Sequence, residues 1–266
     1  MTNREIKRRI VSVQETVKIT KAMYSISMAK MIAAKAALPA AIEYRDVCAR
    51  ILRTVSASFP KESFFLQKGE RTGFLVIAAD KGLCGDHNVQ VFECAKAAID
   101  QTEERYIFTV GNVALDSFTK AGYAVDMEYL RASTSYAAAS AIADDMLLLY
   151  ENDMLDTIKV VYTEAGKSAV TVETLLPIEA GEEKVEIEPF TPSSLHHCVR
   201  EHLIATLRYM LMSSSLAEHT ARARIMSQST DNAEEMIGEL TAKYNRARQE
   251  SITRALQDGR VTDKSI

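Results

Sequence analysis

An α/β domain joined to two long terminal helices that pair as a coiled coil is the fold the sequence predicts, and three observations carry it. Residues 3–38 contain neither Gly nor Pro and keep a thin, heptad-like apolar row. Residues 193–258 form a second such stretch, broken only by Gly238. Between them, strand-like and helix-like segments alternate. At about 1.5 Å per residue the last helix alone would run roughly 100 Å, more than a compact domain of this size can contain. Some of it projects, and its natural partner is the other narrow seam.

The first helix carries Ile6, Ile10, Val13, Val17, Thr20, Tyr24, Ser27, Met31, Ala34 and Leu38 in alternating steps of four and three, and the row is expected to end at Pro39. In the middle, "FLVIAA", "VQVFECAKAAID", "YIFTVG", "NVALDSFTKAG", "YAVDMEYL" and "SYAAASAIADDMLLLYEN" predict a doubly wound, Rossmann-like sheet. "LDTIKVVYTE" and "SAVTVETLLPI" around "AGK" close it as a hairpin. An acidic, Pro-bearing linker, "EAGEEKVEIEPFTPSS", returns the chain to the last helix. There Ala233, Ile237, Leu240, Tyr244 and Ala247 make a seam too thin to be a core of its own. The expected organisation is a coiled-coil helix in 1–60, an α/β domain in 71–180 and a second coiled-coil helix in 193–266.

The net charge of -4 is unevenly placed: residues 1–38 carry +6, residues 193–266 carry +1, and the middle holds -11. A basic helix of this kind is a solvated face or a surface for an acidic macromolecule. The apolar runs are too short to cross a bilayer, and the start "MTNREIKRRI" lacks a signal peptide's apolar stretch. The four cysteines show no CxxC pair, so buried, reduced thiols in an intracellular compartment are expected.

Three signals for chemistry fail on their own terms. Gly166-Lys167-Ser168 ends like a phosphate-binding loop, but the required earlier glycine is Val161, and the stretch joins two strands. "ADKGLCGDHNVQVF" follows a strand and opens a helix, yet offers GxxG instead of GxGxxG, which suits a tight turn. His196, His197, Cys198 and His202 cluster, but the two that share a face, Cys198 and His202, do not make a zinc site. No HExxH, GxSxG or paired-carboxylate motif appears, and no catalytic residue, cofactor or metal is expected.

"KITKAM" (18–23), "ADKGLCG" (79–85) and "TDNAEEMIGELTAKYNRARQESIT" (230–253) together resemble the gamma subunit of the F-type, rotary ATP synthases. The last stretch is the most specific, and the three occur in the family's order. The resemblance implies that the terminal helices pair antiparallel and enter a hexamer of alternating alpha and beta subunits, while the α/β domain forms a foot that binds the epsilon subunit and the membrane ring of c subunits. It implies a non-catalytic rotor that couples ion translocation to ATP synthesis or hydrolysis, with neither nucleic-acid binding nor direct membrane insertion. It implies a peripheral membrane protein, and the direct start on the first helix, without a transit peptide, makes the cytoplasmic side of a bacterial membrane the expected place.

By the same resemblance Met23 faces a beta-subunit loop, Arg248 and Gln249 hydrogen-bond a beta-subunit catch loop, and Thr253 follows in that motif. Gly82, Leu83, Cys84 and Gly85 are the family's loop, and Lys18, Lys21, Lys30 and Lys35 add a looser electrostatic fit. Ala255 and Thr262-Asp263 depart from the family's Glu and Gly-Ala, and Gly259 is expected to break the helix near its tip. Two other readings stand beside this one: an α/β enzyme binding a nucleotide at Gly82, and a plain coiled-coil adaptor.

Overall fold

The computed structural model describes residues 2–59, 63–66, 69–130, 133–166, 169–179 and 190–262, with side chains as far as Thr253. Its elements, in chain order, are α1 (Asn3–Ser56), β1 (Thr72–Ile77), α2 (His87–Asp100), β2 (Arg105–Val110), α3 (Asn112–Lys120), β3 (Met127–Tyr129), α4 (Tyr136–Glu151), β4 (Thr157–Glu164), β5 (Ala169–Leu176) and α5 (Pro192–Thr262). They form two compact units: Met1–Met28 with Arg222–Ile266, and Ala29–Ala221.

The larger unit is built on one five-stranded sheet of order β3-β2-β1-β4-β5, parallel except for β5. Its central strand is buried on both faces, as a near-continuous apolar run requires. Phe74 and Val76 point to one face, where α2 and α3 supply Val91, Ala95, Ile99, Ala114 and Phe118. Leu75 and Ile77 point to the other, where α4, α5 and the end of α1 supply Ile142, Met146, Leu203, Leu207, Leu52 and Val55. Polar contacts add direction to that second layer. Arg200 of α5 donates to Asp144 at 2.6 Å and to Ser140 at 2.7 Å, and holds the Asp144 carboxyl below its ordinary pKa. Glu201 accepts hydroxyls from Tyr44 of α1 at 3.0 Å and Tyr136 of α4 at 2.8 Å.

Two helix ends differ from the sequence expectation. α1 does not stop at Pro39 but runs through it to Ser56. An interior proline costs about 3 kcal/mol, whereas burying one aliphatic side chain contributes about 1.5–3 kcal/mol. Ala41, Leu52 and Val55 beyond the proline are all buried, so packing outweighs the break. α5 likewise continues past Gly259 to Thr262, each glycine costing only about 1 kcal/mol relative to Ala. The linker at 180–189, Lys167-Ser168 and the final residues 263–266 lie outside the described residues.

His202, on α5, is largely buried, and its Nδ1 has no hydrogen-bond partner among the described residues. Desolvation, then the charges of Arg45 and Arg53, lower its pKa from 6.5 to about 4. The unfolded chain therefore binds a proton near pH 6.5 that the native chain refuses until about pH 4, so stability falls as pH is lowered through that window. The expected loss is on the order of 2 kcal/mol. Urea titrations across the window should show it in the natural chain and not in His202→Gln; equal slopes in both would remove His202 as the cause.

Candidate functional site

In the smaller unit the two terminal helices meet along a narrow seam. There Thr20 of α1 lies against Thr230 of α5; in the larger unit the same two helices meet where Tyr44 lies against Glu201. Ala223, Met226, Thr230, Ala233 and Leu240 are buried on α5, and Ile237, Tyr244 and Ala247 are half-buried, a sustained alternation of three and four. Ile6, Thr20 and Ser27 are buried on α1. The one seam residue that the pattern misplaces is Tyr24, which is exposed; Met23 is half-buried instead. The layers on either side of it are made by small buried hydroxyl residues, Thr20 and Ser27.

Those hydroxyls are the polar centre of the seam. Thr20 and Thr230 share a buried hydrogen bond of 2.7 Å between their Oγ1 atoms, and the hydroxyl that accepts it keeps its own proton for the carbonyl of its helix, Val17 at 3.1 Å or Met226 at 2.8 Å. Outside it, Lys21 reaches Glu234 at 2.6 Å. That exposed pair contributes at most about 1 kcal/mol. Removing one threonine hydroxyl costs about 1 kcal/mol, and replacing both with a same-shaped apolar residue is close to neutral. Thermal unfolding of Thr20→Val should thus show a loss that Thr20→Val/Thr230→Val regains; a double variant less stable than the single would overturn this.

The residues implied as contacts do not form one cluster. Arg248, Gln249 and Thr253 are exposed, and the Thr253 hydroxyl donates to the Gln249 carbonyl at 2.9 Å. Arg248 lies about 27 Å along α5 from Thr230, the residue opposite Thr20, at about 1.5 Å per residue. Met23 and the Arg248-Gln249 pair therefore present two separate levels of the helix pair. Sequence reasoning missed a third feature: Val11, Ile19, Ile26, Met236 and Ile252 are all at least two-fifths exposed. Ile19 and Ile26, seven apart and off the seam, share an outer face, a spacing that could have revealed it.

In the larger unit, Gly82-Leu83-Cys84-Gly85 lies in the turn between β1 and α2, at the carboxyl end of the sheet where the chain reverses its winding. Leu83 and Gly85 adopt positive φ, 62° and 66°. Leu83 is exposed while Cys84 is buried. Asn88 fixes the turn: its Oδ1 accepts from Ala79 N–H at 3.2 Å and its Nδ2 donates to Cys84 Sγ at 3.0 Å. The cap of α2 is Asp86, whose carboxylate accepts from Gln90 at 2.6 Å. A negative group thus stands at the helix end that a nucleotide's phosphates would need to be positive.

Elsewhere His196 pairs with Glu151 at 3.0 Å and packs edge-on against Phe64. Among the described residues no group of three His, Cys, Asp or Glu is placed to hold a metal. Burial raises the Cys48, Cys94 and Cys198 thiols above their ordinary pKa. Cys48 and Cys84 are buried, but Cys94 and Cys198 only half so. α1 also contains a window apolar enough, by length and composition, to cross a bilayer, which the short runs seen in sequence did not suggest. Such a window is a property that seam helices share with spans.

A helix pair with a narrow, satisfied seam and a few exposed large apolar side chains, together with an α/β unit that brings no catalytic or metal-binding group together among the described residues, defines a protein whose working surfaces are contacts. A family model described as ATP synthase matches residues 2–258. The ATP synthase gamma chain of Nautilia profundicola is 32% identical over 278 residues, covering 96% of this chain and 95% of that one. That of Caldanaerobacter subterraneus is 33% identical over 287 residues, covering 96% and 97%. A chain of the Euglena gracilis mitochondrial ATP synthase, from its OSCP/F1/c-ring assembly, has the same fold with TM-score 0.76 at 16% identity, covering 99% of this chain and 94% of that one. The chain belongs to the ATP synthase gamma family. It is a non-catalytic subunit, the central-stalk rotor of an F-type ATP synthase, and neither alternative reading draws support from these relatives.

Proposed function

We propose that the paired helices of residues 3–28 and 222–262 turn inside a hexamer of alternating alpha and beta subunits, while the α/β unit is held by the epsilon subunit and the ring of c subunits. The whole sits at the cytoplasmic face of a bacterial membrane. In this reading the stretches 1–60 and 193–266 supply the shaft and 71–180 the foot. The observation that carries it is the outer surface of the helix pair: Ile19, Ile26 and Val11 stay exposed on a unit whose seam is already satisfied. Large apolar residues on a two-helix rod ask for an enclosing protein surface.

The contacts make different demands at different levels. Met23, near the Thr20–Thr230 layer, offers a flexible apolar surface, whereas Arg248 and Gln249 offer exposed donors farther along α5. As the helices turn, each beta subunit meets these groups in sequence, and their differing affinity for its conformations biases its equilibrium. Reconstitution of alpha and beta subunits from the same organism, with and without this chain, tests the proposal. One chain per hexamer and chain-dependent ATP turnover are expected; no complex and unchanged turnover would sink it.

A further inference from the structure

Past Val161, strand β4 has no residue of β1 beside it: their register runs only from Thr72↔Thr157 to Val76↔Val161. β4 nevertheless continues through Tyr162, Thr163 and Glu164 against β5 on its other edge. The groups that β1 has left are bonded by two adjacent serines of α5. Thr163 N–H donates to Ser214 Oγ at 3.1 Å and Ala165 N–H to Ser213 Oγ at 2.6 Å, while the Ser213 hydroxyl donates to the Thr163 carbonyl at 3.0 Å. Both serines are buried, at 0% and 5% exposure. Two helix side chains thus continue the ladder of the sheet, bonding Thr163 of β4 and Ala165 just beyond its end, alternate residues whose backbone groups point to one edge.

This matters because, among the described residues, the polar bonds of Arg200 and Glu201 tie α5 to α4 and α1, while its packing on the sheet itself is otherwise through apolar and aromatic side chains. Leu203, Leu207 and Met210 bury area without direction, and such contacts tolerate small rotations and slides of a helix about its own axis. Hydrogen bonds to a strand's backbone do not, since they weaken steeply as the angle departs from linear. We propose that Ser213 and Ser214 are the positioning residues that lock the rotational setting of α5 on the sheet, so that torque passes between the α/β unit and the long helix without slip. The proposal rests on the rotor reading above.

The test uses the whole membrane complex in liposomes, with the Ser213→Ala/Ser214→Ala chain in place of the natural one. Three readouts are taken: chain-dependent ATP turnover by the detached complex, ions pumped per ATP hydrolysed by the membrane complex, and exchange of the Thr163 and Ala165 amide hydrogens. The detached turnover should stay within about twofold, while ions pumped per ATP fall by about threefold or more and both amides exchange faster, as expected for three lost bonds of modest net strength. A merely structural role would lower yield or melting temperature and leave the pumping ratio alone.

An unchanged ratio with faster exchange overturns the proposal, and so does unchanged exchange. Should the double variant not assemble, Ser214→Ala, which retains both Ser213 bonds, is read the same way: a lowered ratio supports the lock and an unchanged one rejects it. If the natural chain itself gives no chain-dependent turnover, it is the rotor reading that fails.

Discussion

Gly111→Ala should destabilise the α/β unit by about 3–5 kcal/mol, among the largest losses a single substitution can cause. Gly111 follows β2 and caps α3 with φ 93° and ψ 144°, a backbone conformation nearly exclusive to glycine. A Cβ there would lie 2.4 Å from the Ala78 carbonyl oxygen and 3.0 Å from Ala79 backbone atoms. Neither neighbour can step aside cheaply. Ala78 N–H is bonded to Val110 and the Ala79 carbonyl to Val113 N–H, so relief would open the end of β1 and displace the loop that follows it. Backbone strain of about 1–3 kcal/mol and a clash of similar size together approach 3–5 kcal/mol. That is a third or more of the stability of an ordinary domain. Gly122→Ala is the control: its φ is also positive, 85°, but nothing lies within 4 Å of the added carbon. Urea midpoints should separate the two by several-fold in free energy; equal losses would mean that φ alone, and not the close approach to Ala78, makes Gly111 necessary.

What the sequence made legible follows from how local each signal is. The α5 seam could be read from five residues because spacing along one helix is a local property, and the sheet from the alternation of segments. The half-burial of Met23 in place of Tyr24 could not be read, since it depends on the helix opposite and not on spacing along α1 alone. Pro39 misled because its local cost is known while the burial of Leu52 and Val55 that offsets it is set by residues far away in sequence. Leu83 gave no hint of its left-handed backbone, a conformation leucine seldom adopts. Ser213 and Ser214 look like solvated helix residues; their partners lie on a strand roughly 50 residues earlier, and a strand's unpaired edge is not written in its composition. The candidate contacts came from the resemblance, but their separation into two levels needed the pairing of α1 with α5.

Arg248→Ala/Gln249→Ala should lower chain-dependent ATP turnover about 10- to 100-fold without destabilising the chain. Both side chains are exposed on a helix whose seam faces elsewhere, through Tyr244 and Ala247. Surface substitutions of this kind stay within about 0.5 kcal/mol of the parent in stability. In the proposed complex the guanidinium would leave water for a beta-subunit loop, and hydrogen bonds to charged groups are worth about 1.5–3 kcal/mol. At about 1.4 kcal/mol per factor of ten, that range gives the predicted change if the contact forms only in the state on the path to turnover. Thr253→Ala discriminates, because the Thr253 hydroxyl already donates within the helix to the Gln249 carbonyl and has no proton to spare for a partner. Its turnover should stay within about twofold of the parent, the size of a surface change. Melting temperature, chain content of the purified hexamer and turnover would be measured on all three proteins. Full turnover in the double variant, with one chain per hexamer, would reject Arg248 and Gln249 as the catch. It would leave the Met23 level and the apolar outer face of Ile19 and Ile26 to hold the beta subunits. A loss as large in Thr253→Ala would point instead to the shape of this turn of α5, because removing that hydroxyl disturbs the backbone that aims Gln249.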